Sequence, residues 1–327
     1  MPINPHAFEQ YTIAFYNLEN LFDYTRNQYI LDKDFTPTGR KEWDEQRYRT
    51  KIKKLADVIS KIGYLETGKL PDIIGVAEVE SKQVLEDLKN DDKLSSIDYG
   101  IIHHDSPDER GIDVALLYNK KVFELLHEEP ITVHLEDENG RRDTTRDILY
   151  LRGILAGNEV EFYVNHWPSR RDGSSQTDNK RIEVARQLIN HYRDKRNDGD
   201  NYHTKHRESI KTIIMGDFND DPENDSITQE ILPHGFENLS APLKTYHRGT
   251  VNHQFKWSLF DQIITSSNLQ NDDQGQLYAH KVDIYDDIML RQWKGRYRGQ
   301  PARTFVGNRY KGGYSDHFPI YMVLRVN

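Results

Sequence analysis

The chain has 327 residues, 36% of them hydrophobic, and a net charge of −9. That length suits one large α/β domain or two smaller ones. The acidic balance argues against nucleic-acid binding over the whole surface, though not against a local basic patch. With no cysteine, disulfides, thiolate zinc sites and cysteine nucleophiles are excluded.

The N-terminal "MPINPHAFEQ" has neither a basic n-region nor an apolar h-region. No signal peptide is read, and a cytoplasmic location is expected, or a secreted one if a leader has been removed. No apolar run approaches the roughly 20 residues that span a bilayer, so no stable membrane insertion is expected. A monomer is expected.

In chain order, "YTIAFYN" (Tyr11 to Asn17) reads as the first strand. In "DEQRYRTKIKKLADVISKIG", Tyr48, Ile52, Leu55, Ile59 and Ile62 recur at spacings of three and four. That is an amphipathic helix stopped by Gly63. "DIIGVAE" (Asp72 to Glu78) is a second strand, and Val84, Leu85 and Leu88 mark a short helix. "DVALLYN" (Asp113 to Asn119), "ILYLRGIL" (Ile148 to Leu155) and "VEFYVNH" (Val160 to His166) follow as strands. Ile182, Ala185, Ile189 and Tyr192 mark another helix. "TIIMGD" (Thr212 to Asp217), "LFDQIITS" (Leu259 to Ser266) and "FPIYMVL" (Phe318 to Leu324) complete the strands. Many strands with few helices predict two packed sheets with helices on the outer faces. No internal repeat or linker divides the chain, so one domain over residues 1–327 is read. Without repeats, a propeller or lectin-like array is not supported.

Several strand boundaries end on polar groups: Asn17, Glu78, His166, Asp217 with Asn219, and Asp316-His317 just before the last strand. Singly these are a turn residue, a surface acid or an edge histidine. Together they fit a site held on a rigid scaffold. Acids, amides and histidines without cysteine suit a hard cation, Mg2+ or Mn2+, and hydrolysis of a phosphate ester. The later acids of "NDDPEND", namely Asp220, Asp221, Glu223 and Asp225, read as a solvated turn.

The motifs "FYNLENLFD", "GVAEVES", "VNHWPSR", "MGDFND", "FDQIITS" and "YSDHFPI" occur in the order found in the endonuclease/exonuclease/phosphatase superfamily. That superfamily includes deoxyribonuclease I, apurinic endonucleases, inositol polyphosphate 5-phosphatases and neutral sphingomyelinases. The chain resembles it from about Tyr11 to Leu324. The resemblance implies a four-layer α/β/β/α sandwich of two mainly antiparallel sheets flanked by helices. It implies a metal ligand at Glu78, with Asn17 and Asp316 at or near the metal. It implies that Asp217 orients the attacking water and that Asn219 holds that aspartate and the developing oxyanion. His166 and His317 would be phosphate donors, with Asp261 orienting His317. Arg110 falls where some members carry a phosphate-contacting residue, and Arg170, in the "VNHWPSR" motif, is likewise expected to contact substrate. The implied activity is Mg2+- or Mn2+-dependent phosphoesterase, read first as an endo- or exonuclease. The alternatives are a phosphatase or phospholipase acting on phosphorylated sugars, phosphoinositides or sphingomyelin, or a non-catalytic phosphate binder.

The segment "RQWKGRYRGQPARTFVGNRYKGG" (Arg291 to Gly313) carries seven basic residues and no acid, with Trp293, Tyr297, Phe305 and Tyr310 interleaved. It runs directly into Ser315-Asp316-His317. Arg296, Arg298 and Arg303 are therefore expected substrate contacts, in a loop suited to a polyanion such as nucleic acid.

Overall fold

All eight apolar runs form strands, because each is buried on both faces and so reads as continuous hydrophobic sequence. The computed structural model describes residues 8–326 apart from 28, 138, 171–173, 198–208 and 271–274. Residues 1–7 of the stretch searched above for a leader lie outside the described residues. Among the described residues, no helix is long and apolar enough to cross a membrane.

Sheet one contains β1 (Glu9–Leu21), β2 (Ile73–Val79), β3 (Tyr99–His103) and β4 (Asp113–Asn119). Sheet two contains β5 (Phe123–Ile131), β6 (Ile148–Leu155), β7 (Asn158–His166), β8 (Lys211–Asp217), β9 (Phe236–Asn238) and β10 (Asp261–Ser266). The chain then returns to sheet one as β11 (Leu277–Ile284) and β12 (Ile320–Val326). The strand orders are β11-β12-β1-β2-β4-β3 and β9-β10-β8-β7-β6-β5. In each sheet only the central pair is parallel, β1 with β2 and β8 with β7; the other pairs are antiparallel.

Three apolar layers hold the sandwich together. Tyr11, Ile13 and Phe15 of β1 point into the inter-sheet core, against Phe162, Val164 and Met215. Ala14 and Tyr16 point the other way, onto α1 (Glu45–Ile59) and α2 (Lys82–Lys89) through Leu55, Ile59 and Leu85. On the far side, Tyr163, Ile214 and Ile264 pack against Val184, Leu188 and Ile189 of α3 (Ser174–Asn197). The order is helix, sheet, sheet, helix. Asp44 caps α1 by accepting from the Arg47 backbone N–H at 2.8 Å. The helix ends at Ile59, so Ile62 is buried just beyond it rather than within it.

The sandwich fixes where strand ends meet. Two central parallel pairs point their carboxyl ends to one rim, where open α/β sheets place ligands. At that rim Gly216 is required: a Cβ there would fall 2.3 Å from the Asn165 carbonyl oxygen. That close approach lets Asp217 stand directly beside His166 in the ladder.

Of the four acids after Asp217, the first two are not part of a solvated turn. Asp220 and Asp221 are 2% and 5% exposed. Asp220 lies 2.8 Å from Arg181 Nε and 2.7 Å from Arg170 Nη2, and accepts from Ser226 Oγ at 2.6 Å. Asp221 accepts from the Leu259 backbone N–H at 2.8 Å and pairs with Lys244 Nζ at 2.9 Å. Both turn inward because guanidinium, ammonium and backbone donors await them, whereas Glu223, ion-paired to Lys244, and Asp225 are exposed as expected. Asp220→Ala would leave Arg181, 0% exposed, without that compensating charge. The expected loss is about 3–5 kcal/mol of unfolding free energy, read by urea denaturation. A solvated loop acid would lose about 0.5 kcal/mol or less.

Candidate active site

The site grows from irregularities at the ends of the parallel strands. The β1–β2 ladder shifts register between Asn17 and Leu21, opposite Ala77 to Val79. Glu78 adopts φ 62°, and Glu19 and Asn20 adopt φ 51° and 53°. Non-glycine residues held in the left-handed region store about 1–3 kcal/mol each, and bulges of this kind re-aim side chains. The result is that Glu78 Oε2 accepts from the Asn20 backbone N–H at 2.7 Å, while Oε1 lies 3.9 Å from His166 Nε2.

Sheet two supplies the partner groups. Asp217 is 2% exposed. Its Oδ1 accepts from the Asn219 backbone N–H at 3.0 Å. Its Oδ2 accepts from Asn17 Nδ2 at 3.0 Å, with His166 Nε2 at 3.6 Å and His317 Nε2 at 3.8 Å. Burial pushes the Asp217 carboxyl up to about 6, against the opposing pull of His317. Asp261 stands beside Asp217 in the ladder, and its Oδ2 is 2.7 Å from His317 Nδ1. Burial alone would lower the His317 pKa, but the Asp261 and Asp217 charges outweigh it and hold the imidazole well above its ordinary value. His317 is fixed from behind: its N–H donates to Ser315 Oγ at 3.1 Å, and Ser315 Oγ donates to the Asn17 carbonyl at 2.7 Å.

Asn17, Glu78, His166, Asp217, Asn219, Asp261, Asp316 and His317 are thus brought to one rim, and the two amides also have protein partners. Asn17 spends Nδ2 on Asp217 and Oδ1 on the Glu19 N–H at 2.9 Å. Nδ2 thereby orients Asp217, and Oδ1 keeps a second lone pair beside the site. Asn219 holds Asp217 through its backbone, at φ 50°, while its side-chain amide donates to the Trp167 carbonyl at 2.9 Å.

The arginines divide. Arg110 reaches the rim and donates to Asn20 Oδ1, beside Glu78. Arg303 Nη2 lies 3.4 Å from Asp316 Oδ2. Arg296 stacks over the Phe255 ring at 4.8 Å, and Arg298 is exposed on the same lobe. Arg170 is a brace instead: it binds the Asn219 carbonyl, Asp220 and Asn224 and lies over Phe260. The aromatics of the basic segment also divide. Trp293 and Tyr297 are exposed, whereas Phe305 is buried and Tyr310 packs on Phe305 and under Arg47.

One pair was not read from the sequence. Lys51, 2% exposed, donates to Thr304 Oγ1 at 2.6 Å and the Tyr314 carbonyl at 2.5 Å. Glu19 accepts from the Thr304 and Phe305 N–H groups at 2.6 and 3.2 Å. Burial pushes Lys51 down to about 8 and Glu19 up to about 7. The signal was present: Lys51 lies on the apolar stripe of α1, between Tyr48 and Leu55. Glu19, Asp316 and Glu78 all act on the charge of Lys51. Glu78 and Asp316 carry the oxygen donors that a hard divalent cation takes.

The sequence profile of the Endonuclease/Exonuclease/phosphatase family matches residues 12–326. No curated protein matches the chain. Among solved structures, an endonuclease/exonuclease/phosphatase family protein from Bacteroides thetaiotaomicron is 18% identical, with TM-score 0.58, covering 98% of this chain and 99% of its own. D. rerio TDP2, complexed with a single-strand DNA product, is 15% identical, with TM-score 0.56 and coverages of 96% and 98%. A mannosyl-6-phosphatase from Bacteroides thetaiotaomicron is 18% identical, with TM-score 0.55 and coverages of 96% and 99%. At these identities the likeness is one of fold, and it agrees with the layer order and rim described above. With its profile matched along nearly its whole length, the chain belongs to the endonuclease/exonuclease/phosphatase family.

Proposed function

We propose that this protein is a metal-dependent phosphodiesterase acting on nucleic acid. The observation that carries the reading is the convergence on Asp217 Oδ2 of Asn17 from one sheet and His166 from the other, with His317 from the approach to β12. A buried carboxylate with raised proton affinity, flanked by two imidazoles, is equipped to accept a proton from water and orient it for attack. Asn17 and the Asn219 N–H fix the direction of that carboxylate. His317, protonated and tethered to Asp261, donates to a phosphate oxygen, and His166 supplies a second donor. Glu78 and Asp316 would hold Mg2+ or Mn2+, which when bound neutralises charge growing on the phosphate. The polyanion reading rests on the basic segment: Arg296, Arg298 and Arg303 stand out in a chain of net −9. A phosphatase acting on small esters is the competing reading, since one structural relative is a mannosyl-6-phosphatase.

Glu78→Gln should lower hydrolysis of bis-p-nitrophenyl phosphate at limiting Mg2+ by at least about a hundredfold, with the circular dichroism spectrum unchanged. Near wild-type turnover would remove Glu78 from the site. The pH profile should rise through about 6 as Asp217 ionises and fall at high pH as His317 loses its proton. Asp261→Asn removes a charge that raises the His317 pKa, so the alkaline limb should move to lower pH. The double variant Asp261→Asn/His317→Ala should be barely slower than His317→Ala, because groups that act as one unit are not additive. Charge reversal at Arg296, Arg298 and Arg303 should raise KM for DNA or RNA and flatten its salt dependence by about 0.7–0.9 of a log unit per lost phosphate contact. A KM that ignores both salt and charge reversal would favour the small-ester reading.

A further inference from the structure

Beside the rim lies a cavity of about 530 Å³ between the hairpin at residues 251–258 and the lobe at 291–303. The hairpin is tied to the site itself: Val251 bridges to His317, and the Phe318 N–H donates to the Thr250 carbonyl at 2.9 Å. The lobe is closed on itself by Arg291 bridging to Pro301 and by Gln292 bonding Gln300 and Gly299 through the backbone. Arg303 spans from the cavity lining to Asp316. One lining residue thus touches Asp316, the sequence neighbour of the proposed phosphate donor His317.

Its lining is specific in chemistry. Phe255 and Tyr297 stack with rings 3° from parallel, their centroids 5.6 Å apart, and both are about half exposed. Arg296 lies over Phe255. No carboxylate residue contributes to the lining. Asn252, 7% exposed, lines the floor, and its Oδ1 is buried with no hydrogen-bond partner among the described residues. A buried acceptor left unpaired is costly, and a donor from a ligand would satisfy it. The hairpin tip is strained as well: Gln254 and Phe255 hold φ 49° and 68°, where glycine or asparagine is the ordinary choice. A bulky side chain is kept there at a conformational cost and placed against the cavity.

We propose that this cavity is a subsite for one unpaired base of a nucleic-acid strand, next to the phosphate being cleaved. This rests on the nucleic-acid reading above and narrows it to single-stranded substrates or ends. The base stacks on the Phe255–Tyr297 platform, and a ring or amino N–H of its edge donates to Asn252. Arg296 and Arg303 flank the strand's phosphates. A free phosphate would use the arginines and leave the rings and the amide idle. A paired base has its faces covered by neighbours and its edge taken by its partner, so it cannot present both at once.

The test separates binding from turnover. A labelled single-stranded oligonucleotide is titrated into full-length Asp217→Asn protein and followed by fluorescence anisotropy. Adding Phe255→Ala/Tyr297→Ala in that background should weaken binding by about 5- to 100-fold, the range for losing base stacking. Phe255→Leu/Tyr297→Leu, which retains apolar volume, should weaken it similarly. A scan of single abasic positions should find one where base removal costs about as much in the parent and little more in the variant. An unchanged Kd, an equal loss on a blunt hairpin duplex, or a flat abasic scan would overturn the subsite. So would displacement of the oligonucleotide by a hexose 6-phosphate in preference to a nucleoside monophosphate. Wild-type protein that cleaves single strands while binding ignores these substitutions retires the subsite and keeps the nuclease. Protein that binds with the abasic signature yet hydrolyses no phosphodiester keeps the subsite and retires the nuclease.

Discussion

The structure turns on one buried carboxylate. Asp217 stands at the carboxyl end of β8, and a carboxylate withdrawn from water is tolerated only where hydrogen bonds and opposite charge replace the solvent. Its replacements come from different parts of the chain: Asn17 from the other sheet, the Asn219 backbone from its own turn, and His317 from the segment entering β12. A slip of either sheet would strand the charge. The apolar layers stack the sheets, and these bonds fix the register in which the polar groups of the rim meet. The left-handed backbone at Glu78, Glu19, Asn20 and Asn219 is the local strain accepted to aim these groups.

The eight strands legible in the sequence are the eight interior strands of the two sheets, and the four that were missed are the four edges. This has a physical cause. An interior strand packs on both faces and pairs on both sides, so it reads as an apolar run. An edge strand guards an unpaired side with charge, a bend or brevity. β5, "FELLHEEPI", carries three glutamates and a proline; β11 carries Lys281 and Asp283 and a register shift; β9 has three residues. Polar strand ends were readable only together: singly, an acid or amide closing an apolar run is an ordinary turn residue. The sequence did not distinguish what an amide would hold. Asn17 and Asn219 took protein partners that only the folded rim provides. The inward turn of Asp220 and Asp221 was likewise hidden, because their partners Arg181, Lys244 and Leu259 lie elsewhere in the chain.

The basic segment owes its position to a second buried pair. Lys51 and Glu19 grip Thr304, Phe305 and Tyr314, so the stretch between them is anchored at both ends against α1 and β1. That grip leaves the lobe ahead of Thr304 free to display charge and rings, and holds Ser315, Asp316 and His317 beside Asn17. Phe305 and Tyr310 are consumed in the anchor, while Trp293 and Tyr297 remain outside it. A single acid-free run thus serves two purposes, one half fastening and one half presenting.

The return of the chain to its first sheet has a bearing on biosynthesis. β1 is a central strand, yet β12, its antiparallel neighbour, follows only after the whole of sheet two. While the polypeptide is being made, β1 to β4 can assemble early, but β1 then carries an open hydrogen-bonding side and a half-covered apolar face. Pairing over such sequence distances is slow, and an open strand edge invites partners from other chains. Until β12 arrives, the first sheet lacks the neighbour that closes the open side of β1, so its completion waits on the last strand of the chain.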